Sequence, residues 1–234
     1  MRQLAVLVLG AALTACASSH TATPNLRQQC EDRFDRIWIL LFDGMRYDTW
    51  EAVVWPLLRD HFQMVERDPS PRYAVLPSKT DIARRTLFAG GIAKNWKNYQ
   101  NRWTRDERVL AARAVGVLQA NFESDVRFIA EAETENARRK MGFSDADARP
   151  VNVLIYPISD DLGHYHSDTL ASLNEKIRQQ MVTQQGVRGI LDDLRARVGP
   201  NDLVLVTSDH GFIELPGDAG IEFRSAEAHQ GKVK

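Results

Sequence analysis

The sequence predicts an α/β fold, with a mostly parallel central sheet and helices on both faces. Three observations predict it. Apolar runs of strand length recur without polar alternation, as strands do when both faces of a sheet are covered. Amphipathic stretches of helical period lie between them. Charged residues stand where three of the runs stop, at Asp43, Asp160 and Asp209.

The first run, "RIWILLF", covers residues 36–42 and stops at "DG". "YAVLP" (73–77) follows, and then "TDIARRTLFAGG", a helix opening at Thr80. The remaining strands are "VRFIA" (126–130), "VNVLIYP" (151–157) and "DLVLVTS" (202–208). Between the last two, Leu170, Leu173, Ile177, Met181, Val187, Ile190, Leu194 and Val198 keep mostly three- and four-residue steps, and Gly199-Pro200 ends the stripe. That is the period of a helix face, so the region reads as a βαβ crossover. No internal repeat is visible. Ligands of open α/β sheets bind beyond the carboxyl ends of the strands, so the strand-end acids should converge at one edge.

The 234 residues, 44% of them apolar and 26% charged, have room for one well-buried core. Thirty Lys and Arg nearly cancel 31 Asp and Glu, so no long-range field points to nucleic acid, which is not expected as a partner.

The opening "MRQLAVLVLGAALTAC" has a positive Arg2, an apolar run and small residues before Cys16, the architecture of a signal peptide. The run is too short to span a bilayer. "LTAC" resembles the bacterial lipobox, which implies that Cys16 is the lipid-modified first residue of the mature protein; an ordinary signal peptide with a chance Cys is the alternative. Ala17 stands where an inner-membrane retention signal carries Asp, so the same resemblance implies a bacterial cell envelope location, anchored in the outer membrane and facing the periplasm. Acyl chains hold a membrane at about 0.8 kcal/mol per buried CH₂. With Cys16 lipidated, Cys30 has no partner, and no disulfide framework supports the fold. "ASSHTATPN" (17–25) is small and polar, a flexible tether. The expected organisation is a signal peptide over 1–15, the lipidated Cys and tether over 16–33, and one globular domain over 34–234, whose family resemblance is given below.

Several residues suit metal and phosphoryl chemistry. Asp43 in "LFDGMRYD" is a turn residue or a ligand. In "SDHGF", adjacent Asp209 and His210 leave the pleat together at a strand end, and carboxylate and imidazole are ligands that zinc takes. In "SDDLGHYH", Asp160 and His164 lie four apart around Gly163, which lets a loop fold back onto one ion; Asp161 and His166 offer the same chemistry nearby. Thr80 serves a helix as N-cap, as Ser78 would, or it attacks a phosphoryl group held at the helix N-terminus. An isolated Thr is a poor nucleophile near neutral pH, so the second role needs a metal.

Taken in order, Asp43-Gly44, Pro77-Ser78-Lys79-Thr80 with Gly90, Asp160-x-x-Gly163-His164 and Asp209-His210-Gly211 resemble the alkaline phosphatase superfamily. "DGMRYD" and "SDHGF" are most similar to the PglZ domain group, and "PSKT" to the nucleotide pyrophosphatase/phosphodiesterase group. The resemblance runs from about residue 36 to 229 and implies an alkaline-phosphatase-like fold with two bound zinc ions; manganese is the other possibility. By analogy Asp43, Thr80, Asp209 and His210 surround one ion. Asp160, chosen over Asp161 by the family spacing, His164 and a distant His hold the other. His229 in "SAEAHQGKVK" is the only His after residue 210, and a solvated tail residue is its plain alternative. The phosphodiesterase group places an Asn about twenty residues after the nucleophile, where Asn101 falls beside Asn95 and Asn98. That group also has Asn and His three and four residues after the Thr, where this chain has Ala83 and Arg84.

No "CxPxR" context marks a sulfatase, and residues 91–150 leave little room for the inserted domain of the metal-dependent mutases. "NWKNYQNRW" (95–103) puts Trp96, Tyr99 and Trp103 on a helix stripe, or interleaves aromatics and bases over a substrate. The sequence thus points to a lipid-anchored phosphatase or phosphodiesterase. Its partners would be a phosphorylated small-molecule or envelope substrate and, through the anchor, the membrane. The competing reading is a noncatalytic envelope lipoprotein that binds a phosphorylated ligand.

Overall fold

The computed structural model describes residues 2–6, 34–67, 80–89, 126–129, 149–165, 169–183 and 189–211. Its centre is a six-stranded sheet of β1 (Arg2–Val6), β2 (Ile37–Phe42), β3 (Phe62–Arg67), β4 (Val126–Ile129), β5 (Val151–Tyr156) and β6 (Leu203–Thr207), in the order β3-β1-β6-β2-β5-β4. Every pairing among the described strands is parallel. All residues of β2, β5 and β6 are buried, which accounts for their almost wholly apolar sequences, with Asn152 and Thr207 the polar exceptions.

Trp38, Leu40, Phe42, Leu154, Tyr156, Val204 and Val206 share one apolar cluster with residues of four helical segments, Ile158 of the helix that follows β5 among them. Segment α1 runs as Tyr47–Thr49, a π-helical stretch Trp50–Val54, and Trp55–Arg59. Helix α2 is Thr80–Ala89, α3 is Ile158–Tyr165, α4 is Leu170–Met181 and α5 is Ile190–Arg197. The cluster takes Trp50, Val53 and Leu58 from α1, Leu173 and Ile177 from α4, and Ile190 and Leu194 from α5. Alternate strand residues, Ile39, Leu41, Val153, Ile155 and Leu205, are buried as well, so both faces of the sheet are covered.

The structure departs from the sequence reading at four places. The stripe from Leu170 to Val198 is two helices rather than one, with the turn closed at Gly189. A Cβ there would lie 2.4 Å from the Val182 carbonyl carbon and 2.5 Å from the Met181 oxygen, so the chain doubles back where only glycine fits. Gly163 lies inside α3, so Asp160 and His164 are one helical turn apart and no loop folds back. Strand β3 is not among the strands read from the sequence, while the predicted "YAVLP" strand lies outside the described residues. Finally, β1 falls within the segment read as a signal peptide, and it fills the position between β3 and β6. Its apolar residues, Leu4, Ala5 and Val6, suit either use, because both ask for hydrophobicity.

At the amino-terminal edge of the sheet, Asp202 fixes the entry to β6. Its fully buried carboxylate accepts from Arg36 Nε (3.1 Å), Trp38 Nε1 (2.8 Å) and Gly199 N (2.8 Å). The opposite edge is left for the site.

Candidate active site

Three neighbouring strands, β6, β2 and β5, end side by side, β6 and β2 in polar turns and β5 in Pro157 and the start of α3. After β2, Asp43 is held by its own backbone: Asp43 N donates to the Tyr156 carbonyl (2.9 Å), and its carbonyl accepts from Asp160 N (3.1 Å) and Ser159 Oγ (2.6 Å). Gly44 turns away with φ of 68°, in the left-handed region. An added Cβ would stand 3.0 Å from Asp160 Cβ and Oδ1, so glycine is needed for conformation and for room.

After β6, Asp209 Oδ1 accepts from Gly44 N (3.2 Å) and His210 N (3.0 Å). Ser208 Oγ accepts from Met45 N (3.0 Å) and donates to the His210 carbonyl (2.6 Å). These bonds lock the β6 turn against the β2 turn. His210 Nδ1 lies 3.2 Å from the Gly211 carbonyl. A carbonyl only accepts, so Nδ1 carries the proton and Nε2 is the atom turned to the site.

Around Nε2 the site assembles. Thr80 Oγ1 is 3.1 Å away, Asp43 Oδ1 3.2 Å, and Asp160 Oδ1 and Asp209 Oδ2 4.0 Å each. Thus Asp43, Thr80, Asp160, Asp209 and His210 come together from four separate parts of the chain. His164 lies on α3, one helical turn after Asp160. Asn101, His229 and Cys16 lie outside the described residues, as do residues 77–79 of "PSKT" and the 95–103 aromatic stretch.

The ligand atoms of Asp43, Asp209 and His210 all lie within 4.8 Å of one another, and all three residues are buried. Asp43 Oδ1 and Asp209 Oδ2 accept no hydrogen bond although both are buried. With neutral His210, the lone pairs of Nε2 and Asp43 Oδ1 face each other across 3.2 Å, so something positive must lie among them. A divalent cation fits this donor set of two carboxylates and an imidazole.

Without a cation, protons take that part. Burial, and then the neighbouring Asp43 charge, push the Asp209 carboxyl up to about 7, against the opposing pull of His210, Gly44 N–H and Arg84. Burial lowers His210, but the hydrogen bond that its protonated ring gives Asp43, the Asp209 charge and the Gly211 carbonyl outweigh it and raise the imidazole to about 9.

One neighbour was visible in the sequence only as a departure. Arg84 Nη1 donates to Asp43 Oδ2 at 2.9 Å. It comes from α2, one turn after Thr80. Ser159 and Ser208 were missed altogether, because a hydroxyl that braces backbone leaves no pattern of its own.

A parallel α/β sheet with a buried Asp and His cluster at its carboxyl edge defines an alkaline-phosphatase-like domain, of a class suited to phosphoester chemistry. Residues 23–232 match the BREX system PglZ alkaline phosphatase-like domain, and the chain belongs to that family. No curated protein matches it.

Proposed function

We propose that the protein is a metal-dependent phosphoric ester hydrolase in which Thr80 is the nucleophile. The observation that carries this reading is the contact of Thr80 Oγ1 with His210 Nε2 at 3.1 Å, inside the cluster of strand-end acids. A hydroxyl placed there is next to the atoms best able to hold a cation.

Asp43, Asp209 and His210 would hold one ion, with Thr80 beside it. Asp160, His164 and His229 are the proposed holders of a second. Zinc is the proposed metal, with manganese the alternative. A cation here supplies Lewis acidity, easing loss of the Thr80 proton and offsetting charge on the phosphoryl oxygens. Thr80 Oγ attacks phosphorus as its proton leaves for solvent, and the P–O bond to the departing alcohol breaks in line while that alcohol takes a proton from water. A water molecule then cleaves the phosphothreonine at phosphorus, which restores the Thr80 hydroxyl. The α2 amino terminus favours the negative charge of the phosphoryl group, and Asn101 is proposed to hold one of its oxygens. A gain of 10⁶-fold needs about 8 kcal/mol of barrier reduction, within reach of such electrostatic stabilisation.

Purified protein with zinc should hydrolyse an aryl phosphate monoester or diester, and Thr80→Ala should abolish turnover while keeping fold and metal. Full activity in that variant removes Thr80 from the mechanism. Zinc bound without turnover would favour the noncatalytic, ligand-binding reading.

Envelope anchoring through Cys16 is part of the same proposal. Two uses compete for residues 2–6: cleavage before Cys16 takes β1 out of the sheet, whereas its pairing with β3 and β6 favours keeping it. Intact mass of protein taken from the membrane fraction decides between them. A chain beginning at acylated Cys16 supports the anchor, and one that retains Arg2 overturns it.

A further inference from the structure

The Arg84–Asp43 pair has a position that the chemistry proposed above does not use. Asp43 belongs to the end of β2, and Arg84 to the second turn of α2. The side chains are 5% and 18% exposed, so the 2.9 Å contact is largely sheltered from water and salt. It occupies Oδ2 of Asp43 and so leaves Oδ1 as the oxygen that faces His210 Nε2. Thr80 and Arg84 are four residues apart, so their side chains leave the same face of α2. The far end of the helix is placed separately, where Phe88 meets Phe128 of β4 edge to face with ring centroids 6.1 Å apart.

We infer that Arg84 is a positioning residue: by gripping Asp43 Oδ2 it seats the first turns of α2 on the end of β2, and so holds the Thr80 hydroxyl against the site. A chain with another residue at position 84 would have to seat this helix differently. The catalytic consequence rests on the hydrolase reading given above; the seating of α2 does not.

Two roles predict opposite signs. If Arg84 simply held the cluster together, its removal would weaken cation binding. As a seat for α2 it is a fixed positive charge beside the carboxylates, and its removal leaves a cation bound as tightly or more tightly. Misplacing a reacting group by about 1 Å can cost about 10²-fold in rate.

The test uses the full chain as wild type, Arg84→Ala, Arg84→Gln and Arg84→Lys. In metal-free protein, amide hydrogen exchange over residues 80–89 should speed up by about tenfold or more in the Ala and Gln variants, and the Lys variant should recover most of the protection. Zinc titration should give affinity equal to or tighter than wild type in Ala and Gln. With zinc and an aryl phosphate, kcat should fall by about 10²-fold with KM little changed, and Lys should restore most of it. Unchanged exchange over 80–89 in both neutral variants overturns the inference, as does weakened zinc binding. Should the Ala variant fail to fold, the Gln and Lys pair carries the same comparison. A wild type that neither takes up zinc nor turns over substrate sinks the hydrolase reading alone, because the exchange result still decides the seat.

Discussion

At the scale of single residues, the site depends on atoms held in one orientation by neighbours of little apparent interest. Gly44 is the sharpest case. Gly44→Ala forces a side chain into the left-handed region, and its Cβ presses on Asp160 at 3.0 Å. The strain should cost about 1–3 kcal/mol of stability. Activity should fall further than stability does, since Asp160 is moved; chemical denaturation alongside an aryl phosphate assay checks both. Titration gives a second prediction. The folded-state pKa values of Asp209 and His210, about 7 and about 9, both stand above their ordinary values of 3.8 and 6.5. A raised folded pKa stabilises below the unfolded value and is lost as pH climbs through the folded one. Metal-free protein should therefore lose stability steadily between about pH 4 and 9, and zinc should offset that loss at the alkaline end while releasing protons as it binds. Melting curves across this range, with chelator and with zinc, measure the effect. A metal-free protein that grows more stable toward pH 9 would contradict it.

At the scale of elements, legibility followed the strength of local pattern. Strands β2, β5 and β6 were readable because burial on both faces writes itself as a nearly continuous apolar run. The acids at their ends were readable because a polar residue after such a run has left the sheet. The division between α4 and α5 was not, because Leu170 to Val198 satisfies the helical period on either side of the break, and the reason for Gly189 is a close backbone approach that no periodicity reveals. Strand β3, "FQMVER", mixes polar and apolar residues and sits at the end of the strand order, where both faces need not be dry. Arg84 was legible as a residue but not as an interaction, since its partner lies 41 positions away. The amino-terminal edge supports one prediction of its own. Asp202→Ala leaves Arg36, Trp38 Nε1 and Gly199 N without their shared acceptor, and removal of one partner from a buried ion pair costs about 3–5 kcal/mol. Denaturant unfolding should show that loss while cation affinity at the far edge stays within a few fold.

At the scale of the whole molecule, the metal and the fold should be linked. Ligands from the ends of β2 and β6 meet only in the native state, so a cation that binds them stabilises folding by mass action, by about 2.7 kcal/mol at a hundredfold excess over Kd. Zinc should accordingly raise the melting temperature of wild type, and a chelator should reverse the gain. An unchanged melting temperature at saturating zinc would place the ion elsewhere or nowhere. Asp209→Ala should abolish the shift, since it removes the carboxylate at the centre of the cluster.

The sheet order gives β6 an interior place, paired with β2 on one side, although it is the last of the described strands to be made. While the ribosome is still synthesising the segment that follows β5, the β2 edge stands open with its backbone donors and acceptors unmet, an invitation to pair with a neighbouring nascent chain. The newborn protein is thus adhesive until residues 203–210 emerge, and closing that gap completes the Asp43, Asp209 and His210 cluster in the same event.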